Sequence, residues 1–489
     1  MKYFSWLLGI IIGFSAIVYV LAFTSFGNAL LKPFIEKKIQ EQTKLDSKLD
    51  VFSLNMSEFE ISLRLNSNNI IDIKGNYSLL SQTFDISYKL NLEELKSLQA
   101  LTSTLFQGSF HTDGKVKGNM KFLSVDGKSD VASSDTTYHL ELTNMNPTSI
   151  IANINNAKLE ELLVIANQKQ YASAIINLDV NFKNITVHKL EGIINTSIKN
   201  GVIDSEYITK AYKFKSSVPY ITFNSSTTTK IVSNIADTKL DFNSNIVNFD
   251  VKSAKFNLNN KSIKSDFKAT IANLNKLFFV TNQKMHGSII VNGNIKKDKD
   301  LNLNIHTKLA GGQIDASLFN DNFKADLKGV GTMGLLNMFV YPEVFESTLN
   351  AKLNYNLAQS KGKISGQLVD GKFTKNKIFG LIKQYAKFDM YKEKFNGNIN
   401  STINKENLLI SLELTSRKAS ITTKDTKLNT KTQVIDSTLK LVANNNPISA
   451  TIIGNINKPK IKVDVNELVE KKIKDAVKKG INKLFKKFF

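Results

Sequence analysis

Apolar and polar residues alternate with a period of two along most of this chain, which limits it to strands with one apolar and one polar face. Ile176, Leu178, Val180 and Phe182 are separated by Asn177, Asp179 and Asn181. Leu301, Leu303 and Ile305 alternate with Asn302, Asn304 and His306. Leu349, Ala351, Leu353, Tyr355 and Leu357 alternate with Asn350, Lys352, Asn354 and Asn356. The pattern dominates from about residue 50 to 463, room for roughly 28 strands. Strands with one polar face belong to antiparallel sheets, so an antiparallel body is predicted. Lys74-Gly75-Asn76, Asp113-Gly114, Asp126-Gly127, Asn200-Gly201, Asp370-Gly371 and Asn396-Gly397 read as the turns between strands. Gly311-Gly312 reads as turn geometry as well.

A second, slower period overlies the first. Leucine-rich segments begin at Leu92, Leu159, Leu274 and Leu335, each running into strands, as if one further copy near residue 215 had drifted. Each unit reads as a short helical turn followed by several strands. Units that cannot bury their faces alone imply a stacked repeat array.

The two ends differ from this body. Tyr3 to Leu31 carries no charge and is almost wholly apolar from Phe4 to Phe23. That is enough for a helix to cross the hydrocarbon of a bilayer, and Trp6, Leu7, Ile11, Phe14, Val18 and Leu21 are its anchoring residues. A cleaved signal peptide would have a shorter apolar run, so an uncleaved anchor over 1–28 is predicted. Lys32, Lys37 and Lys38 follow it and only Lys2 precedes it. Loop charge alone would keep the body in the cytoplasm, but long domains are exported largely regardless of charge. Residues 465–489 carry Val469, Ile473, Val477, Ile481 and Leu484 at helical spacing, with lysines on the other face. An amphipathic cationic helix is predicted there, serving as a cap on the last strands or as a membrane-surface contact.

Composition removes several function classes. There is no cysteine, so disulfides, thiol catalysis and cysteine-ligated metal are excluded. The net charge is +22, yet only Arg64 and Arg417 among the 65 basic residues are arginines. Nucleic-acid surfaces use arginine prominently, so no nucleic-acid partner is expected and the lysines read as a solvated face. His111, His139, His188, His286 and His306 are scattered, with no pair at ligand spacing. No phosphate loop, nucleophile elbow or metalloprotease motif occurs. No enzyme activity, no metal and no cofactor are expected.

The carboxyl-terminal third carries a resemblance. Pro447-Ile-Ser-Ala-Thr-Ile-Ile-Gly-Asn-Ile-Asn-Lys-Pro-Lys-Ile-Lys-Val-Asp464 is similar to the closing pattern of the AsmA-like family, whose larger relatives are TamB-type proteins. Phe395-Asn-Gly-Asn-Ile, Leu408-Leu-Ile-Ser-Leu-Glu-Leu and Ile435-Asp-Ser-Thr-Leu-Lys-Leu fit the preceding strands in order, and Leu30-Leu-Lys-Pro-Phe-Ile-Glu fits the segment after the anchor. The match is confined to about 372–464, while the order of parts follows the whole chain. The resemblance implies a bacterial inner-membrane protein, anchored by a single pass, with its body in the periplasm. It implies a long folded-over sheet whose apolar groove carries phospholipid between inner and outer membranes, as in bridge-like lipid-transfer proteins.

The expected class is therefore mainly β. An N-terminal transmembrane helix precedes an elongated, folded-over repeating groove over 29–463, with short helical segments and the C-terminal helix. Ile176, Leu178, Val180, Phe182, Leu301, Leu303, Ile305, Leu349, Leu353, Tyr355 and Leu357 are the expected lining. The partners expected are phospholipid, the inner membrane and, further out, envelope proteins. A scaffold or chaperone for outer-membrane protein assembly, offering sheet edges to partner strands, is the competing expectation.

Overall fold

The computed structural model describes residues 22–102, 104–186, 189–375, 379–380, 383, 388–464, 466 and 470. The protein is mainly β, 60% strand against 16% helix, and antiparallel. It divides into two compact units. The described parts of Met1–Lys213, Tyr220–Asn245 and Lys252–Asn259 form the first, and those of Phe214–Pro219, Ile246–Val251 and Asn260–Phe489 the second. The anchor residues Trp6, Leu7, Ile11, Phe14, Val18 and Leu21 lie outside the described residues, as does the expected terminal helix apart from Asn466 and Glu470.

In the first unit the strands are β1 (Ser47–Leu54), β2 (Glu58–Leu65), β3 (Asn69–Ser78), β4 (Thr83–Leu92), β5 (Phe110–Asn119) and β6 (Phe122–Ser129). They continue as β7 (Asp135–Thr143), β8 (Asn146–Lys158), β9 (Ala172–Thr186), β10 (Lys189–Ile203), β11 (Thr222–Val232) and β12 (Ile235–Ser244). Each pairs antiparallel with the next. β13 (Asn248–Asn257) falls across the division. The second unit runs through β14 (Ile263–Ile271), β15 (Ile289–Lys297), β16 (Leu301–Leu309), β17 (Gly312–Phe319), β18 (Asn322–Gly331), β19 (Phe345–Asn356) and β20 (Lys361–Phe373). It ends with β21 (Phe395–Asn404), β22 (Asn407–Thr415), β23 (Ala419–Asn429), β24 (Val434–Ala443), β25 (Asn446–Asn455) and β26 (Lys460–Asp464), again paired in sequence order.

The glycine dipeptides expected to turn the chain do not. Gly75, Gly114, Gly127, Gly201, Gly371 and Gly397 all lie inside strands. Tight turns are made instead by Asn66-Ser67, Asn144-Met145, Ser233-Asn234, Ala310-Gly311 and Asn444-Asn445, whose paired positive φ values suit the right-handed twist of a hairpin. The Gly311-Gly312 expectation thus fits. The strand glycines serve space, not turning. A Cβ on Gly201 would lie 2.5 Å from Phe223 Cζ, and one on Gly371 only 2.1 Å from Phe345 Cζ. An aromatic ring from a neighbouring strand lies flat where the glycine leaves room.

Before β1 stands α1 (Ser25–Thr43), opened by Thr24, whose side chain accepts from Gly27 N–H at 3.2 Å. It runs antiparallel along β1. The Asn28 amide donates to the Leu54 carbonyl at 3.0 Å, and Glu36 accepts from Leu49 N–H at 2.7 Å. α1 carries Lys32, Glu36, Lys37 and Lys38. Among the described residues no helix is long and apolar enough to cross a membrane.

The other helical pieces are α2 (Gln99–Thr102, after a 3₁₀ turn at Leu95–Leu98), α3 (Leu159–Ile165) and α4 (Ser205–Ala211) in the first unit. In the second they are α5 (Phe278–Thr281, after Leu274–Leu277) and α6 (Thr332–Met338). α4 is the copy expected near residue 215. Every piece follows an even-numbered strand, and antiparallel strands alternate in direction, so within each unit all helical connections leave the same end. The buried clusters gather there. Leu45, Leu65 and Leu98 form one, and Ala172, Ala174 and Phe223, packed on Leu159, form another. In the second unit Phe395, Leu414, Ile421, Leu441 and Ile448 pack with Phe379 and Met390.

Candidate functional site

Residues directly opposite in an antiparallel pair share a face, so the register fixes what each face carries. In the first unit one row reads Phe52, Ile61, Ile73, Tyr88, Gly114, Gly127, Tyr138, Ala152, Val180, Ile194, Thr229 and Thr238 across twelve strands. The parallel row two residues along is Leu54, Phe59, Gly75, Ile86, Val116, Val125, Leu140, Ile150, Phe182, Gly192, Ile231 and Ala236. Neither row holds a charge. On the opposite face Glu60, Lys74, Ser87, Lys115, Asp126 and His139 follow one another.

The second unit repeats the division. Ala269, Val291, Thr307, Ile314, Leu327, Ala351, Gly366, Ile399, Leu412, Thr423, Leu439, Ala450 and Val463 form one uncharged row. Most of these apolar-face side chains away from the helical end are half-buried rather than covered.

The residues expected to line a groove fall on these faces with one exception. Ile176, Leu178, Val180 and Phe182 oppose Ile198, Thr196, Ile194 and Gly192. Leu303 and Ile305 oppose Leu318 and Ala316, and Leu301 shares their side by alternation. Leu349, Leu353 and Tyr355 oppose Leu368, Ile364 and Gly362. Leu357 does not belong to the row. It lies one residue beyond β19, exposed in the hairpin, with its N–H donated to the Asp321 carbonyl at 2.8 Å.

Two devices were not legible in the sequence. Tyr88 and Tyr138 lie over Gly114 and Gly127 and meet hydroxyl to hydroxyl at 2.6 Å, and Thr112 Oγ1 reaches the Tyr138 hydroxyl at 2.6 Å. Burial, then the hydrogen bond with Tyr138, pushes the Tyr88 hydroxyl well above its usual range. Tyr88 therefore stays neutral on an apolar surface. The second device recurs four times. Asn156, Asn200, Gly329 and Asp370 sit at strand bulges with positive φ. Each donates its N–H to an asparagine side chain one strand on: Asn177, Asn224, Asn350 and Asn396, at 2.8–3.0 Å. Only the cross-strand partner reveals either arrangement.

The polar face holds exposed histidine–carboxylate hydrogen bonds. His111 bonds Asp130 at 3.0 Å and Glu93 at 3.1 Å, His139 bonds Asp126 at 2.7 Å, and His306 bonds Asp315 at 2.8 Å. The Asp130 hydrogen bond raises His111 above its usual 6.5, and the Asp126 hydrogen bond does the same for His139. Asp315 is pulled down to about 2, first by His306 and then by Gln313. Among the described residues no group of three or more His, Asp or Glu is placed to hold a metal ion. A cleft of about 580 Å³ opens on this face among Asp326, Lys328, Lys352, Gln367 and Glu413. Its charged lining suits water and ions, not acyl chains. A larger one of about 890 Å³ combines Phe319, Phe323, Tyr355 and Ile403 with Lys324 and Lys363. No protein-family model matches the chain and no curated protein matches it, so the AsmA-like resemblance stands on the residues quoted for it above.

Proposed function

We propose that this protein holds phospholipid by its acyl chains along the apolar sheet faces and moves it between the two membranes of a bacterial envelope. The observation that carries this reading is the set of uncharged rows, twelve strands long in the first unit and thirteen in the second, left half-exposed. Soluble proteins rarely leave so large an apolar surface open unless something binds it. Each methylene taken up there contributes about 0.8 kcal/mol, so a two-chain lipid leaves a bilayer without a prohibitive barrier. An elongated, folded-over groove, an inner-membrane anchor over 1–28 and a periplasmic body complete the proposal, the last resting on the family resemblance. The protein acts as a carrier and not as an enzyme, its titratable groups being spread as exposed pairs along the polar face.

The competing role, a scaffold that adds partner strands at a sheet edge, draws on β26, the last strand among the described residues of its unit. That strand is five residues long and bears Lys460 and Lys462. Short, lysine-bearing edges resist strand addition, which favours the lipid reading. Photo-crosslinking residues at Leu178, Val180 and Leu353 are expected to capture phospholipid, whereas the same residues at Asp179 and Lys352 are not. Capture only from the polar positions, or capture of protein alone, would sink the proposal.

A further inference from the structure

Strands β1 to β8 are joined two by two at the end away from the helical connections, and the tips there are unusual. They carry Met56, Leu79, Leu80, Met120, Phe122 and Met145, all more than half exposed, with Leu80 wholly so. Lys121 and Glu58, the first residue of β2, are the only charges at these four tips. The tips after β15, β17 and β21 in the second unit are instead polar, with Asp298, Asp300, Asp321, Lys405 and Glu406. The first unit's turn at its other end, Asn66-Ser67-Asn68, is polar too.

The four tips stand in order along one edge, about 10 Å apart because each is two strands from the next. They are held in place by backbone bonds between neighbours. Tyr77 N–H donates to the Ser57 carbonyl and Asn144 N–H to the Lys121 carbonyl, both at 2.8 Å. A rim fixed in this way presents its apolar side chains without ordering them on contact.

The point where the chain enters the fold selects the occupant. α1 begins at Ser25, and its Asn28 is bonded to Leu54, the residue from which the first tip departs. The uncharged run Phe4–Phe23 therefore joins the fold beside this rim, and Phe26 in the first turn of α1 is exposed there as well. A bilayer holding that run meets the rim next. We infer that the hairpin tips carrying Met56, Leu80, Phe122 and Met145 dip into the lipid surface beside the anchor and fix how the first unit stands on it. Amphipathic elements bind such interfaces by burying apolar side chains among the headgroups. The inference rests on the anchor reading, not on lipid binding by the sheet faces.

The chain lacks cysteine and its one tryptophan is Trp6, so both elements can be followed separately. The full-length L80C, F122C and N68C variants, each bearing an environment-sensitive dye, would be reconstituted in phosphatidylcholine vesicles with and without lipid-borne quenchers. Expected is a blue shift and loss of most of the emission at Leu80 and Phe122, with none at Asn68 and with Trp6 quenched in all three. Placing L80D and F122D together is expected to remove the response of a dye at Met145. Trp6 quenched with the tips unresponsive would overturn the inference and leave the anchor standing. Neither quenched would overturn both. A blue shift without lipid quenching, growing with protein concentration, would put a second copy on the rim and also overturn it. Crosslinking from Leu178 and Leu353 reports the sheet faces independently.

Discussion

Gly371 and Phe345 offer a sharp test of how the apolar faces are packed. A methyl added at Gly371 would lie 2.1 Å from Phe345 Cζ and 2.8 and 2.9 Å from the flanking ring carbons, so the ring must move. It is not free to move cheaply. Its centroid is 4.6 Å from Phe373, which stands 4.2 Å from Phe379 and 5.2 Å from Phe395. Overpacking costs about 1–3 kcal/mol, and spoiling one aromatic pair adds about 1 kcal/mol. Gly371→Ala is therefore expected to destabilise by about 2–4 kcal/mol. Phe345→Ala removes a half-buried ring, for about 2 kcal/mol, below the cost of a fully buried one. In the double variant the alanine enters the vacated space, and its lower unfolded-state entropy makes it neutral or slightly favourable. The coupling between the two changes should thus be about 2–4 kcal/mol, the whole cost of the glycine change. Urea unfolding of the full chain in detergent, followed by the far-ultraviolet β signal, measures all three variants. Additive costs, agreeing within about 0.5 kcal/mol, would refute the view that these glycines exist to seat aromatic rings.

Further outcomes can be checked alongside. Phe395→Ala empties the centre of the second unit's core, where the ring is fully buried, and should lower stability by about 3–5 kcal/mol in the same urea experiment. Replacing Asn396, or its counterparts Asn177, Asn224 and Asn350, with alanine removes one acceptor from a bulge and should cost about 1 kcal/mol each. Faster hydrogen exchange of Asp370, Asn156, Asn200 or Gly329 N–H would report it locally, while Asn→Asp should spare it. His111 is raised in the folded state, mainly by the Asp130 hydrogen bond. Its contribution is then fully present below 6.5 and lost as pH climbs through the raised value, and His111→Gln should flatten that part of a stability profile. Asp315 works in the other sense. Lowered to about 2 from 3.8, it contributes above 3.8, and the contribution disappears as pH falls toward 2. Asp315→Asn should abolish that acid-side loss.

What the sequence discloses here follows the reach of each signal. Alternation is local, and it placed Leu178, Val180, Leu303 and Leu353 on the apolar face without knowledge of any partner strand. It gave roughly 28 strands where the described residues hold 26. Leu357 was misplaced because alternation does not say where a strand stops. The glycine dipeptides failed for a different reason. Gly114 and Gly127 sit mid-strand because Tyr88 and Tyr138 lie across them, and those tyrosines are 26 and 11 residues away in the chain. The bulge at Asn200 likewise depends on Asn224. Such pairings depend on register, which a single sequence does not carry. The short helices were largely legible: leucine-rich segments marked α2, α3, α5 and α6, whereas α4 was expected only as a drifted copy.

The rule that helical connections follow only even-numbered strands sets the step by which such a protein can change length. Removing one strand would reverse the direction of everything after it, carrying each later helix to the opposite rim. It would also strip the buried clusters of their lids. Removing or duplicating a hairpin leaves direction, side and lid unchanged. Lineages of this chain should therefore differ in size by whole hairpins, each step adding or subtracting about 10 Å of sheet. A circularly shuffled or shortened version built on hairpin boundaries, such as one lacking β21 and β22, should keep its two faces, while one cut between them should not.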